Sequence, residues 1–500
     1  MRMRRITTMM MMKTKTTISL LCTGFLLLSS VNSGAAERTR LSKRSWLDLV
    51  NDYTSADKVQ YEPDRWEQLT AKYTGGHHTN ILAEWWSTFN DETLTKLIDM
   101  AFEHNPDLNA ARSRVLQARA QLGVTMAGKS PRVDGRVYMT DADTSKNNPM
   151  AGGGASYHTY DAAFSASWEL DFFGKKQDLI NAGKSALEAE YANLHHAWVL
   201  LSAETASEYI TLRTLQKQIE AAEKNIAAQS EMLEIVESMF KAGLRDELAV
   251  QQTRYSLESM KAAVPQLRQS AEAMMNSLAV LTGEVPGSLT ELLGKNGELP
   301  DVDVMMMAGI PAETIRQRPD IAAAEKNFEA QVSRRKSAQK EYYPTISLTG
   351  SIGLESLSTG TLLKGSSYFF NLVPSVNIPI FRAGEIRKNI RVQNELEEQA
   401  LTALEKTILN AAAEVRNALE ANVQEAARNE HLKEGLAAAQ MALETARNKY
   451  FNGLSDFSSV LSAMQSVYSL ENSLAASRGQ MMNNLIALFK ALGGGWGKEL

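Results

Sequence analysis

Few residues in this chain are of a type and spacing that could do chemistry. Four of the seven histidines form two adjacent pairs, His77–His78 and His195–His196. Metal ligation from a helix needs imidazoles at i and i+4, on one face, and adjacent residues point apart. A packed or solvated role is the reading for all four. The single cysteine, Cys22, lies in an apolar stretch near the N-terminus. A thiolate nucleophile or a disulfide is therefore excluded from the rest of the chain. There is no phosphate-binding glycine loop, no nucleophile elbow and no zinc signature. Aspartate and glutamate are plentiful but fall mostly on helix surfaces. No catalytic, cofactor or metal site is expected, so the function must lie in the architecture.

The first 36 residues have the layout of a secretory signal. Arg2, Arg4, Arg5, Lys13 and Lys15 form a basic region, Ile18–Leu28 an apolar one, and Ser33, Gly34, Ala35 and Ala36 a small-residue cleavage region. Leu21 precedes Cys22, whereas lipid attachment favours a small residue there, so cleavage after Ala35 or Ala36 is expected without lipidation. Removing residues 1–36 takes five of the 53 basic residues and none of the 58 acidic ones, for a formal charge of −10. Nothing in that balance points to nucleic acid. A composition of 44% hydrophobic and 22% charged residues suits a folded chain with a large core. No later segment approaches 18 uninterrupted apolar residues, which leaves a β-barrel as the route into a membrane.

The two halves of the chain repeat one another. "NPDLNAARSRV" at 105–115 meets "RPDIAAAEKNF" at 318–328, and Pro131 meets Pro344 at the same offset of 213. "GLRDELAV" at 243–250 meets "GLSDFSSV" at 453–460, and "LAVLTG" at 278–283 meets "LFKALG" at 488–493, both at 210. Conserved order and small drift indicate a duplication, 85–295 and 300–495, after a segment at 37–84. Each half opens with a helix, at about 92–128 and 312–341. Two period-two strands follow, at about 131–141 and 160–173 in the first half and 344–355 and 368–381 in the second. A long helical hairpin ends each half. Seam positions such as Leu404, Ile408, Ala411 and Val415, and later Leu443, Ala446 and Tyr450, step by three and four. Gly243 and Gly453 mark the hairpin tips, with Asp246 and Asp456 placed to cap the returning helices.

Ten-residue strands with one polar and one apolar face suit a membrane barrel, although a soluble sandwich alternates in the same way. Four strands cannot close, and an open edge in hydrocarbon leaves backbone groups unpaired, so copies must combine.

On these residues the chain resembles the TolC-like outer membrane efflux proteins, near the NodT-type branch that serves RND pumps. The matching stretches include "EWWSTFNDETLTKLI", "SASWELDFFGK", "YYPTISLTGSIG", "VPSVNIPIFRAGEIR" and "IALFKALGGGW", and they span about 84–496. The resemblance implies a mostly helical homotrimer with a twelve-stranded outer-membrane barrel, four strands per chain, continued by a periplasmic α-helical barrel of coiled coils. It implies passive efflux of small molecules delivered by an inner-membrane transporter through a periplasmic adaptor. It assigns Gly243, Leu244, Arg245, Gly453, Leu454 and Ser455 to adaptor-docking tips. Tyr450, Asp456, Ser459 and Ser462 fall at its periplasmic gate, where relatives often carry a carboxylate ring; serines stand at two of those positions here. A type I protein-secretion duct and a non-conducting coiled-coil scaffold are the alternatives.

Overall fold

A computed structural model describes residues 82–147, 154–244, 246–295, 297–300 and 317–496. The expected signal segment, residues 37–81 and His77–His78 lie outside the described residues, as does Arg245.

A short 3-10 turn, Trp85–Phe89, leads into α1 (Glu92–His104) and α2 (Pro106–Ala127). The single helix expected over 92–128 is thus two helices. Pro106 lacks the N–H that would continue α1, and the Asn105 side chain accepts from Leu108 N at 2.9 Å to start α2. Strands β1 (Arg132–Asp143) and β2 (Ser156–Leu170) follow, then the hairpin α3 (Lys175–Lys241) and α4 (Glu247–Leu281). The second half contributes α5 (Pro319–Gln339), β3 (Thr345–Ser356), β4 (Tyr368–Asn377), α6 (Glu385–Phe451) and α7 (Phe457–Ala491). Helices α3 and α6 each hold 67 residues, and α4 and α7 each hold 35. At 1.5 Å per residue the long pair are rods of about 100 Å. Among the described residues no helix is long and apolar enough to cross a membrane.

The four strands make one antiparallel sheet in the order β1-β2-β3-β4. β2 ends at Leu170, short of the expected 173. The reason is Asp171, whose carboxylate oxygens accept from Lys176 N at 2.9 Å and Gln177 N at 2.8 Å. One residue therefore leaves the sheet and caps α3, with Gly174 turning the chain at φ +75°. Likewise β4 stops at Asn377, and Gly384 (φ +83°) precedes α6.

A large apolar core binds the first turns to both hairpins. Trp85 stacks on Phe489 (centroids 5.1 Å) and Phe102 on Trp198 (4.8 Å). Asp91 joins this core to the helix start: one oxygen caps α1 through Thr93 N and Leu94 N, and the other accepts from the Tyr209 hydroxyl at 2.5 Å. Arg318 is a second anchor, beside Pro319 at the start of α5. It meets Asp320 and Glu414 at 2.7 and 2.8 Å and donates to Ala491 O at 2.6 Å.

Candidate functional site

The sheet sorts its side chains into two faces. Cross-strand partners point the same way, so the register can be followed across all four strands. Val137 pairs with Ala162, and Ala162 with Leu354; Phe164 pairs with Ile352, and Ile352 with Phe370. Ala166, Gly350 and Leu372 form another such row, and Leu170, Ile346 and Val376 a fourth. The opposite face carries Asp134, Ser165, Ser351 and Asn371 in one row and Arg132, Ser167, Thr349 and Val373 in another. Hydroxyls and amides bond across it: Ser347 and Ser375 lie 2.7 Å apart, and Asn371 Oδ1 accepts from Ser351 at 3.0 Å.

The apolar face is open. Val137 is 83% exposed, Phe164 63% and Phe370 60%. A soluble sandwich would bury such a face under a second sheet, and the described residues form only one. Both outer strands, β1 and β4, keep an unpaired edge among the described residues. Aromatic rings gather where the inner strands end: Phe173 stacks on Tyr343 at 5.0 Å, beside exposed Phe172.

The hairpin tips are built alike. Gly243 adopts φ +74° and Gly453 φ +70°, a conformation only glycine takes without strain. At each tip two backbone bonds wrap the helix end: Gly243 N to Phe240 O with Leu244 N to Met239 O, and Gly453 N to Tyr450 O with Leu454 N to Lys449 O. This geometry leaves Leu244 70% and Leu454 76% exposed, an apolar residue at the apex of each turn. Asp246 caps α4 through Ala249 N at 3.2 Å. Asp456 makes no side-chain cap of α7; its carbonyl instead accepts from Ser459 N and Ser455 Oγ.

Tyr450 is fully buried, in an apolar cluster with Met232 and Val236 of α3, Val250 of α4, and Phe457, Val460 and Met464 of α7. It lies away from Asp456, Ser459 and Ser462, which are exposed on one side of α7. The positions expected at a gate therefore divide into an apolar pin between hairpins and an exposed polar stripe.

Ionisable groups are perturbed mainly where helices cross. Burial lowers the pKa of His195, which stacks on Trp496, and of His196. Burial raises Glu208, outweighing the Ser277 hydrogen bond. Burial and the Asp91 hydrogen bond push Tyr209 up to about 12. Burial opposes ionisation of Asp320, but Arg318 wins and its carboxyl lies below the usual value. Among the described residues no group of three or more His, Cys, Asp or Glu could hold a metal ion. Arg318 and Tyr209 escaped the sequence reading; the "RPD" run was a signal for the first, and the second had none.

A family model described as outer membrane efflux protein matches residues 97–284 and again 310–494. The cation efflux system protein CusC of Escherichia coli O6:H1 is 29% identical over 430 residues, covering 83% of this chain and 88% of that protein. The solvent efflux pump outer membrane protein SrpC of Pseudomonas putida is 27% identical, covering 82% and 86%. The structure of the outer-membrane channel OprN superposes with a TM-score of 0.80 at 28% identity, covering 86% of this chain and 96% of that one. An open apolar sheet face, two long hairpins and this double match agree: the chain belongs to the outer membrane efflux protein family.

Proposed function

We propose that this outer membrane efflux protein is the passive exit duct of a tripartite pump, closed by three copies of the chain. The observation that carries this reading is the exposed apolar sheet face flanked by two open strand edges. Lipid suits the face, and a second copy suits each edge, because unpaired backbone groups cost several kcal/mol in hydrocarbon. Three copies supply twelve strands. The polar face then lines a water-filled lumen, which α3, α4, α6 and α7 extend through the periplasm.

The halves are read as a duplication. Matched helix lengths support it, as do left-handed glycines 210 residues apart at Gly174 and Gly384, Gly243 and Gly453, and Gly283 and Gly493. So do the two separate matches of one family model. Residues 1–36 are read as the export signal. The apices, Gly243, Leu244 and Arg245 with Gly453, Leu454 and Ser455, are the adaptor-docking surface, and the exposed leucines favour a partner with a small apolar pocket. Energy comes from the inner-membrane transporter. Relatives of this chain are named for cations and for solvents, so substrate choice is assigned to the pump. The same names favour efflux over protein secretion.

The test is reconstitution of purified protein in planar bilayers, with its mass measured in detergent. A trimer that conducts is expected; a detergent-independent monomer, or a trimer without conductance, overturns the reading.

A further inference from the structure

Charge on the polar sheet face is unevenly placed. Nearest the helices, Arg132 and Asp134 pair at 2.8 Å. Farther along β1, Arg136 lies over the Tyr138 ring, its Cζ 5.3 Å from the centroid. Both cations are thus engaged, one by a carboxylate and one by a ring. Beyond them the register brings Tyr138, Asp161 and Glu355 into one row across β1, β2 and β3. Two carboxylates stand directly opposite one another there, an arrangement that repels. Asp161 is nine residues from Leu170, where β2 ends beside the helices, or about 30 Å along the strand. The row lies at the end of the sheet remote from the helical hairpins.

Asp161 is only 5% exposed, with Ala163 beside it on the same face at 6%. Among the described residues its carboxylate has neither a hydrogen bond nor an ion pair. The little surface it keeps includes its carboxylate oxygens. A charged carboxylate so enclosed costs free energy unless a cation balances it. Glu355 is exposed and brings a second carboxylate to the same row without a partner of its own. The strands cannot ease the repulsion by moving. At Gly353, two residues before Glu355, β2 and β3 pack so closely that a Cβ would lie 2.5 Å from Ala162 O and 2.6 Å from Ala163 Cβ.

We propose that Asp161 and Glu355 form a cation-selecting ring at the outer mouth of the channel. The inference rests on the channel reading above. Three copies place six carboxylates around one lumen. Twelve strands about 4.8 Å apart and tilted by about 40° enclose a ring about 24 Å across between backbones. Its radius is close to the Debye length of about 10 Å at 0.1 M salt, so the field of the ring reaches the axis in dilute salt. Hard cations that accept oxygen ligands, such as potassium, sodium and magnesium, are the class attracted. Lumen water competes for each of them, so they exchange rather than lodge, as conduction requires. Asp161 supplies the enclosed, unbalanced charge and Glu355 the exposed one that meets ions first.

Reversal potentials in planar bilayers, measured across a potassium chloride gradient, test it. The purified trimer is expected to prefer cations, and more strongly in dilute than in concentrated salt. Asp161→Asn with Glu355→Gln should bring the reversal potential close to zero without loss of trimer mass. Glu355→Lys, at an exposed position, carries the test if the double variant does not assemble; it too should abolish the preference. Asp141→Asn is the control. It removes a carboxylate near the same strand end but on the other face, where Asp141 lies 3.1 Å from His158, and should leave the potential unchanged. A channel without cation preference, a preference untouched by Glu355→Lys, or an equal shift in Asp141→Asn overturns the ring. Absence of current from the unaltered trimer overturns the channel reading instead, so the two failures are distinct.

Discussion

The Tyr450 hydroxyl lies 3.8 Å from the sulfur of Met239, joining the end of α6 to the end of α3. The ring also meets Phe457 edge-on at 5.3 Å. The periplasmic ends of the two hairpins are thus held by packing of one aromatic side chain more than by charge. Tyr450→Ala is expected to raise single-channel conductance and to lower stability by about 3 kcal/mol, as for large-to-small core substitutions. Asp456→Ala, at the exposed start of α7, is expected to raise conductance less. Unchanged conductance in both variants would remove the gate from this part of the chain.

The docking assignment is checked at the apices. Leu244→Asp and Leu454→Asp leave burial, hairpin hydrogen bonds and the tip glycines intact, since both leucines are exposed. The double variant should retain trimer mass and bilayer conductance while losing drug or metal tolerance in cells that depend on the pump. Full tolerance would show that the adaptor binds elsewhere.

The two sheet faces should differ sharply in what they accept. Phe164→Arg, on the apolar face, is expected to cost about 2–4 kcal/mol if the site lies near the bilayer midplane. Ser167→Asp, three residues along on the polar face and opposite Arg132, should be tolerated. Denaturant unfolding in lipid vesicles reads both, and equal costs would contradict a lipid-facing assignment.

Glu208 gives a pH signature. Burial raises its pKa in the folded chain, and its Oε2 is buried without a hydrogen-bond partner. A raised carboxyl pKa favours the folded state at low pH, and that contribution is lost as pH rises through the folded value. Glu208→Gln should therefore raise the melting temperature at pH 7 to 8. The gain should vanish as pH falls toward the ordinary value of 4.5. A gain independent of pH would assign the effect to packing.

Arg318 bridges Asp320 and Glu414 while donating to Ala491 O. Its removal leaves Asp320 half-buried and unmatched. Arg318→Met is expected to destabilise by about 3 kcal/mol, because losing one partner of a buried pair strands the other charge. Adding Asp320→Asn should recover part of that loss in thermal denaturation; additive losses would show that the pair is not coupled.

Much of this architecture was legible because its signals are local. Alternation at Ile346, Leu348, Ile352 and Leu354 specifies a face whatever the neighbours are, and Gly243 and Gly453 end their helices by backbone conformation alone. Tyr450 shows a finer case: its place in the three-four seam with Leu443 and Ala446 already marked it for burial. What escaped depends on partners distant in the chain. Asp171 reads as a strand residue until α3 is placed beside it. Gly479 carries no sign that it packs against Thr214 of α3, and Tyr209 none of its bond to Asp91, 118 residues away. The break at Asn105 was visible as Asn-Pro but was outweighed by the helical periodicity on either side.

The unpaired margins of β1 and β4 also have a genetic consequence. If three copies close edge to edge, as proposed above, each copy must offer one sound margin to the copy before it and another to the copy after. A chain crippled only at β4 still joins through β1 and then blocks the next addition. Such an allele would be dominant: at equal dosage with the normal one, only about one ring in eight would contain no crippled member.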